Sequence, residues 1–322
     1  MTHTAAPAHW SKQKELVRSY WHFRLLILCV RLLPLALLRM AALPVSFFYF
    51  LGARNGRAES RRFLDQMRAF SGTKKRRSTF KHIASFALSI SERAKIWSGA
   101  IPGRLIQYQN DDIEKLVTDI EEKHGALLLC SHLGSAELLR ALANFGRTRV
   151  NHTFPIISIV DFTVTENFNR MLRRINPDSM NHLINAGEVG VDTMERLQGC
   201  LAQGGLVVCA ADRTTSREHP GRRFMFDFLG KPAVFPMGPF YIAALLKTHT
   251  YFCFGLREKT FSPCSAYGMH IHKSNIDFDC PRSERNARME DLARSYAGTL
   301  ESFCIRYPYQ WYNYYNFWEA PA

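Results

Sequence analysis

The stretch from Ala126 to Arg140 (ALLLCSHLGSAELLR) limits what this chain can fold into more than any other. Its first five residues form an unbroken apolar run, which suits a strand buried on both faces. From Ser135 the pattern turns Ala/Leu-rich and predicts a helix over Ser135–Asn144. A strand that hands over to a helix within a few residues is the opening half of a crossover unit, and such units build largely parallel sheets. His132 sits on that turn, where Gly134 allows a tight bend, Ser135 serves as N-cap and Glu137 lies in the first helical turn. From there Glu137 can fold back towards the imidazole. A carboxylate on one ring nitrogen sets the tautomer and raises the basicity of the other, which makes His132 a candidate base for a hydroxyl. The same spacing also arises when a histidine is satisfied at a strand end and a glutamate simply favours the helix dipole.

Further apolar runs, Pro155–Val160, Leu206–Ala211 and Tyr251–Leu256, alternate with helical stretches at Glu166–Ile175, Val189–Gln203 and Pro239–Leu246. The expected fold is α/β, with a mixed, mostly parallel sheet flanked by helices. Tyr267, Met269 and Ile271 alternate with Gly268, His270 and His272, which predicts a further strand with both histidines on a wet face. Helices are expected at Thr79–Trp97, with Phe80, Ile83, Phe86, Ile90 and Ala94 at helical spacing, at Asp111–Glu122, and from Glu284 to about Cys304. The run ending at Ala211 delivers Asp212 and Arg213 to a polar loop, beside His132 if the strands are parallel. A structural ion pair between Asp212 and Arg213 is the competing reading. The segment Phe228–Pro239 reads as a rigid apolar connection suited to the wall of a lipid pocket.

A chain of 322 residues with 47% hydrophobic and 12% aromatic content is not disordered, and it shows no repeat. Its eight cysteines are scattered without a C-x-x-C pair, so neither a zinc site nor a disulfide framework is expected. The net charge of +14 calls for an anionic partner: nucleic acid, anionic lipid or an acidic protein. Residues Leu25 to Leu51 are apolar and long enough to cross a bilayer, but Arg31, Pro34, Arg39 and Pro44 interrupt them. We expect membrane attachment without a clean crossing, the arginines reaching for phosphates; the alternative is a buried core helix with paired arginines. Directly after it, ten basic residues between Arg54 and Lys81 (Arg54, Arg57, Arg61, Arg62, Arg68, Lys74, Lys75, Arg76, Arg77, Lys81) face only Glu59 and Asp65. An anionic leaflet attracts such a cluster at about 1 kcal/mol per residue. Lys74–Arg77 also passes for a nucleic-acid signal, but the apolar neighbour favours a membrane.

These residues resemble the lysophospholipid and lipid A acyltransferase superfamily. His132 and Glu137 match its His-x4-Asp/Glu motif. The segment from Gly204 to Arg213 and the Phe-Pro-x-Gly-Pro that follows at Phe235–Pro239 are similar to the acceptor-binding region of the bacterial lipid A late acyltransferases. A third block, Asn167 to Pro177, lies where that family places an acceptor-binding asparagine and arginine. The resemblance spans roughly residues 15 to 318 and looks strongest to predicted acyltransferases of aryl polyene pathways, which carry Ala-Ala-Asp-Arg and a terminal aromatic run such as Tyr307–Trp318. The Phe-Pro-Glu-Gly block of the glycerolipid enzymes is absent, which argues against glycerol 3-phosphate as acceptor.

The resemblance implies a glycerolipid-acyltransferase-like α/β domain over residues 101–322, preceded by a membrane-associating helical region over 1–100, on the cytoplasmic face of a bacterial inner membrane. It implies transfer of a fatty acyl chain from acyl carrier protein or coenzyme A to a hydroxyl of a lipid or glycolipid, without cofactor, metal or nucleic acid; the alternatives are a non-catalytic lipid-binding or scaffold protein of the same fold and, on charge alone, a nucleic-acid-binding protein. His132 would be the base, oriented by Glu137. Arg213 and one of Arg170, Arg173 or Arg174 would hold anionic groups beside Asn167, and Asp212 would orient an arginine or a sugar hydroxyl. Backbone N–H groups near Gly134 and Ser135, or a basic side chain, would stabilise the oxyanion. The aromatic tail would either line a lipid groove or pack into core and rim.

Overall fold

The run Ala126–Cys130 is the middle strand of a seven-stranded sheet, and none of its five residues is more than 3% exposed. The computed structural model describes residues 28, 32–97, 101–109, 112–140, 150, 153–161, 183–214 and 221–318. In chain order it contains α1 (Leu35–Gly52), α2 (Arg54–Ser71), α3 (Thr79–Trp97), β1 (Ile106–Tyr108), α4 (Asp112–Glu121), β2 (Ala126–Cys130), β3 (Ile156–Val160), β4 (Leu183–Asn185), α5 (Val191–Leu201), β5 (Leu206–Ala210), β6 (Arg223–Phe228), β7 (Lys231–Pro236), α6 (Gly238–Leu246), β8 (Thr250–Arg257), β9 (Tyr267–Lys273) and α7 (Arg285–Arg306). The sheet order is β1-β9-β8-β2-β5-β3-β4. Strands β8, β2, β5, β3 and β4 run one way, while β9 and β1 run against them, so the sheet is mixed and mostly parallel.

Two apolar layers cover the sheet because successive strand residues point to opposite faces. Leu127, Leu129, Val207 and Phe252 pack with α2, α6 and α7. Ala126, Leu128, Cys130 and Val208 pack with Leu116 and Ile120 of α4 and with Leu138 and Leu139. Fully burying each such Leu or Val contributes about 1.5–3 kcal/mol, which is why the central strands read as unbroken apolar runs.

The expected strands and most expected helices are present. Beyond Ser135 the described backbone is a 3-10 turn, Ala136–Arg140; the rest of the expected helix, and that at Glu166–Ile175, lie outside the described residues. The short strands β1 and β4 carry too few residues for a periodicity to show. The segment expected as a rigid connection is instead part of a hairpin, β6–β7, closed by Leu229 and Gly230 at φ 53° and 75°. Two residues at positive φ make the tight turn that matches strand twist. Leu-Gly is an unusual pair for such a turn, so its sequence does not announce it. His270 is also not on a wet face: it is 3% exposed and tilts against Phe303 and Tyr307 under α7, while His272 is half-buried. The cysteines of the central strands, Cys130, Cys209 and Cys253, are buried and free.

Helix α1 is the one described helix long and apolar enough to cross a membrane, with a mean hydropathy of 1.7. It is not a free-standing span. Arg39, in its second turn, does not reach outwards: its Nε donates to buried Glu92 of α3 at 2.6 Å, and Nη1 donates to the carbonyls of Pro263 and Ser265. The other faces stay open, with Met40, Val45, Phe48 and Leu51 between 46% and 72% exposed. The structure therefore joins two expectations that looked exclusive, a helix with a paired arginine and a helix with an apolar outer face.

His82 ties α2 and α3 to the C-terminal segment. It is fully buried, with Nδ1 2.9 Å from the Ser60 hydroxyl and Nε2 2.8 Å from the Trp311 carbonyl. Nε2 donates to that carbonyl and Nδ1 accepts from the hydroxyl in the neutral ring. Burial pulls its pKa down from 6.5 to about 4, although the bond to Trp311 acts the other way. The unfolded chain takes up a proton that the native fold refuses, so this contribution is complete above about pH 6.5 and lost as the pH falls towards 4. Chemical denaturation at pH 7.5, 5.5 and 4.5 is expected to show falling stability, with a shallower fall in His82→Gln; equal pH slopes would contradict this role.

Candidate active site at the strand ends

The parallel pairing of β2 with β5 sets the site. Cys130 stands opposite Ala210, so His132 and Asp212 each lie two residues beyond the last pair, at the same end of neighbouring strands. His132 Nδ1 is 2.8 Å from Asp212 Oδ1, and the His132 backbone N–H donates to Oδ2 at 2.9 Å. Asp212 is wholly buried, whereas the imidazole is 31% exposed. Burial alone would raise the Asp212 pKa, but His132, its backbone N–H and Arg213 outweigh it and bring the carboxyl to about 2. An ionised carboxylate only accepts, so Nδ1 carries the proton and the neutral ring presents an open lone pair on Nε2. No described residue bonds Nε2. Burial lowers the imidazole pKa below its usual 6.5, Arg213 and Arg93 act in the same direction, and Asp212 partly opposes them. The ring is neutral at pH 7 and able to accept a proton.

This geometry corrects the expected partner. The carboxylate on the imidazole is Asp212, not Glu137, and Asp212 is spent on the ring rather than on an arginine or a sugar hydroxyl. Glu137 Oε2 accepts from the Ser135 hydroxyl at 2.8 Å and pairs with Arg93 Nε at 3.4 Å. The turn that carries Glu137 is fixed from outside: the Ser135 N–H donates to the Gly255 carbonyl, and Gly134, at φ 74°, packs so close to that carbonyl that a Cβ would collide with it.

The expected backbone oxyanion donors are also taken. The N–H groups of His132, Leu133, Gly134 and Ser135 go to Asp212, the Ser131 hydroxyl, Gln310 and Gly255 respectively. The positive charge nearest the turn comes from side chains. Arg93, on α3, is half-buried and pairs with Glu137. Arg213 donates to the Tyr312 carbonyl, with its guanidinium 5.8 Å from the Tyr315 ring centre.

No protein-family model matches the sequence, and no curated protein does.

The site is therefore defined by its geometry alone. Asn167, Arg170, Arg173 and Arg174 lie outside the described residues. Ser131 and Cys130 are no nucleophiles here: Ser131 is 4% exposed with its oxygen accepting from Leu133, and burial drives the Cys130 thiol pKa far above its usual value. Among the described residues, no group of three or more His, Cys, Asp and Glu side chains could hold a metal ion.

The residues that sequence reasoning missed come from distant segments. Arg93 precedes the motif by a whole α-helix and two strands. The C-terminal segment runs across the site: the Tyr312 N–H donates to the His132 carbonyl, Leu133 and Trp311 form an isolated antiparallel bridge, and Trp311 Nε1 donates to Asp212 Oδ2 at 3.1 Å. The expected aromatic tail is thus mostly core, with Trp311 fully buried and Tyr312 and Phe317 at most 4% exposed. The run of aromatics was the available signal, but nothing in it names a target 99 positions away.

Proposed function

We propose that this chain is a membrane-associated O-acyltransferase that moves a fatty acyl chain from a thioester of acyl carrier protein or coenzyme A to a hydroxyl of a lipid or glycolipid. The observation that carries the reading is the partly exposed imidazole of His132, held at Nδ1 by buried Asp212, with Nε2 bonded to no described residue. Nε2 takes the proton of the acceptor hydroxyl, whose oxygen attacks the thioester carbonyl. The new C–O ester bond forms, the C–S bond breaks, and the imidazolium returns its proton to the departing thiolate. Asp212 supports the imidazolium without itself taking the proton. Arg93 supplies positive charge to the oxyanion, since the turn's backbone donors are occupied. The absence of a usable Ser131 or Cys130 nucleophile favours direct transfer over an acyl-enzyme.

The support for attachment is α1 and its surroundings. Leu37, Met40, Val45, Phe48 and Leu51 are exposed apolar side chains, and Arg54, Arg61, Arg62 and Lys74–Arg76 are exposed cations just beyond them. An apolar face rimmed by cations suits the cytoplasmic leaflet of a bacterial inner membrane, where α1 lies in the interface while Arg39 holds it to the body.

The test is acyl transfer by the purified full chain, with radiolabelled long-chain acyl carrier protein or acyl coenzyme A as donor and a total bacterial lipid extract as acceptor. We expect a labelled lipid, whose mass identifies the acceptor, and an acid limb of the rate below pH 6.5 because His132 must be neutral. Folded, vesicle-bound protein that transfers from neither donor would overturn the reading in favour of a lipid-binding role.

A further inference from the structure

The mechanism uses one oxygen of Asp212, and the other is held by an indole. We propose that Trp311 is a positioning residue of the site: its Nε1–H and the His132 backbone N–H together hold Oδ2 of Asp212, so that Oδ1 faces the imidazole at Nδ1, leaving Nε2 as the ring nitrogen without a described partner. The proposal rests on reading His132 as the base.

Three features make the indole a fixed part rather than a passing contact. Its ring is fully buried, between 4.9 and 5.2 Å centre to centre from those of Phe63, Phe228 and Phe317. Its backbone is anchored through the carbonyl that accepts from His82, itself bonded to Ser60. Its neighbours are bonded to both strand ends of the site. The Gln310 side chain accepts from the Arg257 N–H and donates to the Arg257 carbonyl, pairing with the end of β8 as a strand would, and the Gln310 carbonyl accepts from Gly134. A carboxylate can rotate about its Cβ–Cγ bond, and two donors on one oxygen remove that freedom. A donor to the anion also lowers its proton affinity, so the indole moderates how strongly Asp212 holds a protonated imidazole. The charged groups that face the ring are Asp212 and Arg213 after β5 and Arg93 on α3.

The experiment is nuclear magnetic resonance on the full chain in detergent, following the five indole N–H signals and the His132 ring through a pH titration. In the wild type, the Trp311 indole proton should shift with the same midpoint as His132, and this coupling should vanish in His132→Ala. In Trp311→Phe, which keeps an aromatic ring but no donor, the His132 midpoint should rise by about half a pH unit or more, because Asp212 then holds the imidazolium more firmly. If transfer is measurable, kcat should fall about tenfold with KM little changed and the acid limb should move up with the midpoint. An indole signal indifferent to His132, or an unmoved midpoint in a folded Trp311→Phe, would overturn the positioning role. Should that variant fail to fold, the wild-type titration decides alone. None of these spectroscopic readouts requires an acyl substrate, so failure of the acyltransferase reading stays separate from failure of this one.

Discussion

His132→Ala is expected to abolish acyl transfer while the protein stays folded, and Asp212→Asn to reduce it by about 10³–10⁴. The alanine removes the proposed base, a ring that is 31% exposed and whose described partner is Asp212. The asparagine acts through tautomer choice. Its amide can donate to Nδ1, which drives the ring proton to Nε2 and occupies the lone pair that must take the hydroxyl proton. It also removes the charge that raises the imidazole pKa, so the His132 midpoint should fall further below 6.5. Glu137→Gln should leave that midpoint almost unmoved, since Glu137 is engaged with Ser135 and Arg93. Steady-state rates of the three variants, and His132 titrations of Asp212→Asn and Glu137→Gln, each variant checked for native circular dichroism, test this. A midpoint that follows Glu137 rather than Asp212 would return the orienting role to the His-x4-Glu spacing.

The second large effect is on stability. Glu92 is 2% exposed and faces two buried guanidiniums, Arg39 at 2.6 Å and Arg257 at 3.3 Å. Arg257 also donates to the Ser85 hydroxyl and carbonyl and to the Tyr312 hydroxyl, so the network joins α1, α3, β8 and the C-terminal segment. Glu92→Gln leaves two buried positive charges facing each other without their shared anion. Breaking a buried pair in this way costs about 3–5 kcal/mol. The effect should appear as a Tm lower by about 4–7 °C and as faster proteolysis between α1 and α2. Arg288→Ala is the control. Its partners Asp277 and Glu284 are more than half exposed, and such surface pairs contribute about 1 kcal/mol or less. Equal losses in the two variants would show that the buried network is not what holds α1.

Much of the architecture is written locally. The apolar runs of β2, β3, β5 and β8 are legible because strands covered on both faces need no alternation, and α3, α4 and α7 because their buried residues recur at helical spacing. His132 at a strand-to-helix turn, and the arrival of Asp212 and Arg213 at the same sheet end, follow from those runs once the strands are parallel. Other features have no local signature. Nothing near Leu229-Gly230 demands a hairpin, and His270 alternates like a surface residue until α7 covers it. The position of Arg39 shows that it needs a partner, but not that Glu92, 53 residues on, provides one.

The choice of carboxylate shows the division most clearly. The sequence by itself determined that a histidine would stand on a tight turn after a buried strand, with acidic groups within reach. Spacing along the chain favoured Glu137, five residues away. Only the tertiary structure decided for Asp212, because hydrogen-bonded parallel strands place residues 80 positions apart side by side, and because a carboxylate buried there must be held by donors that the C-terminal Trp311 and the His132 backbone bring from elsewhere.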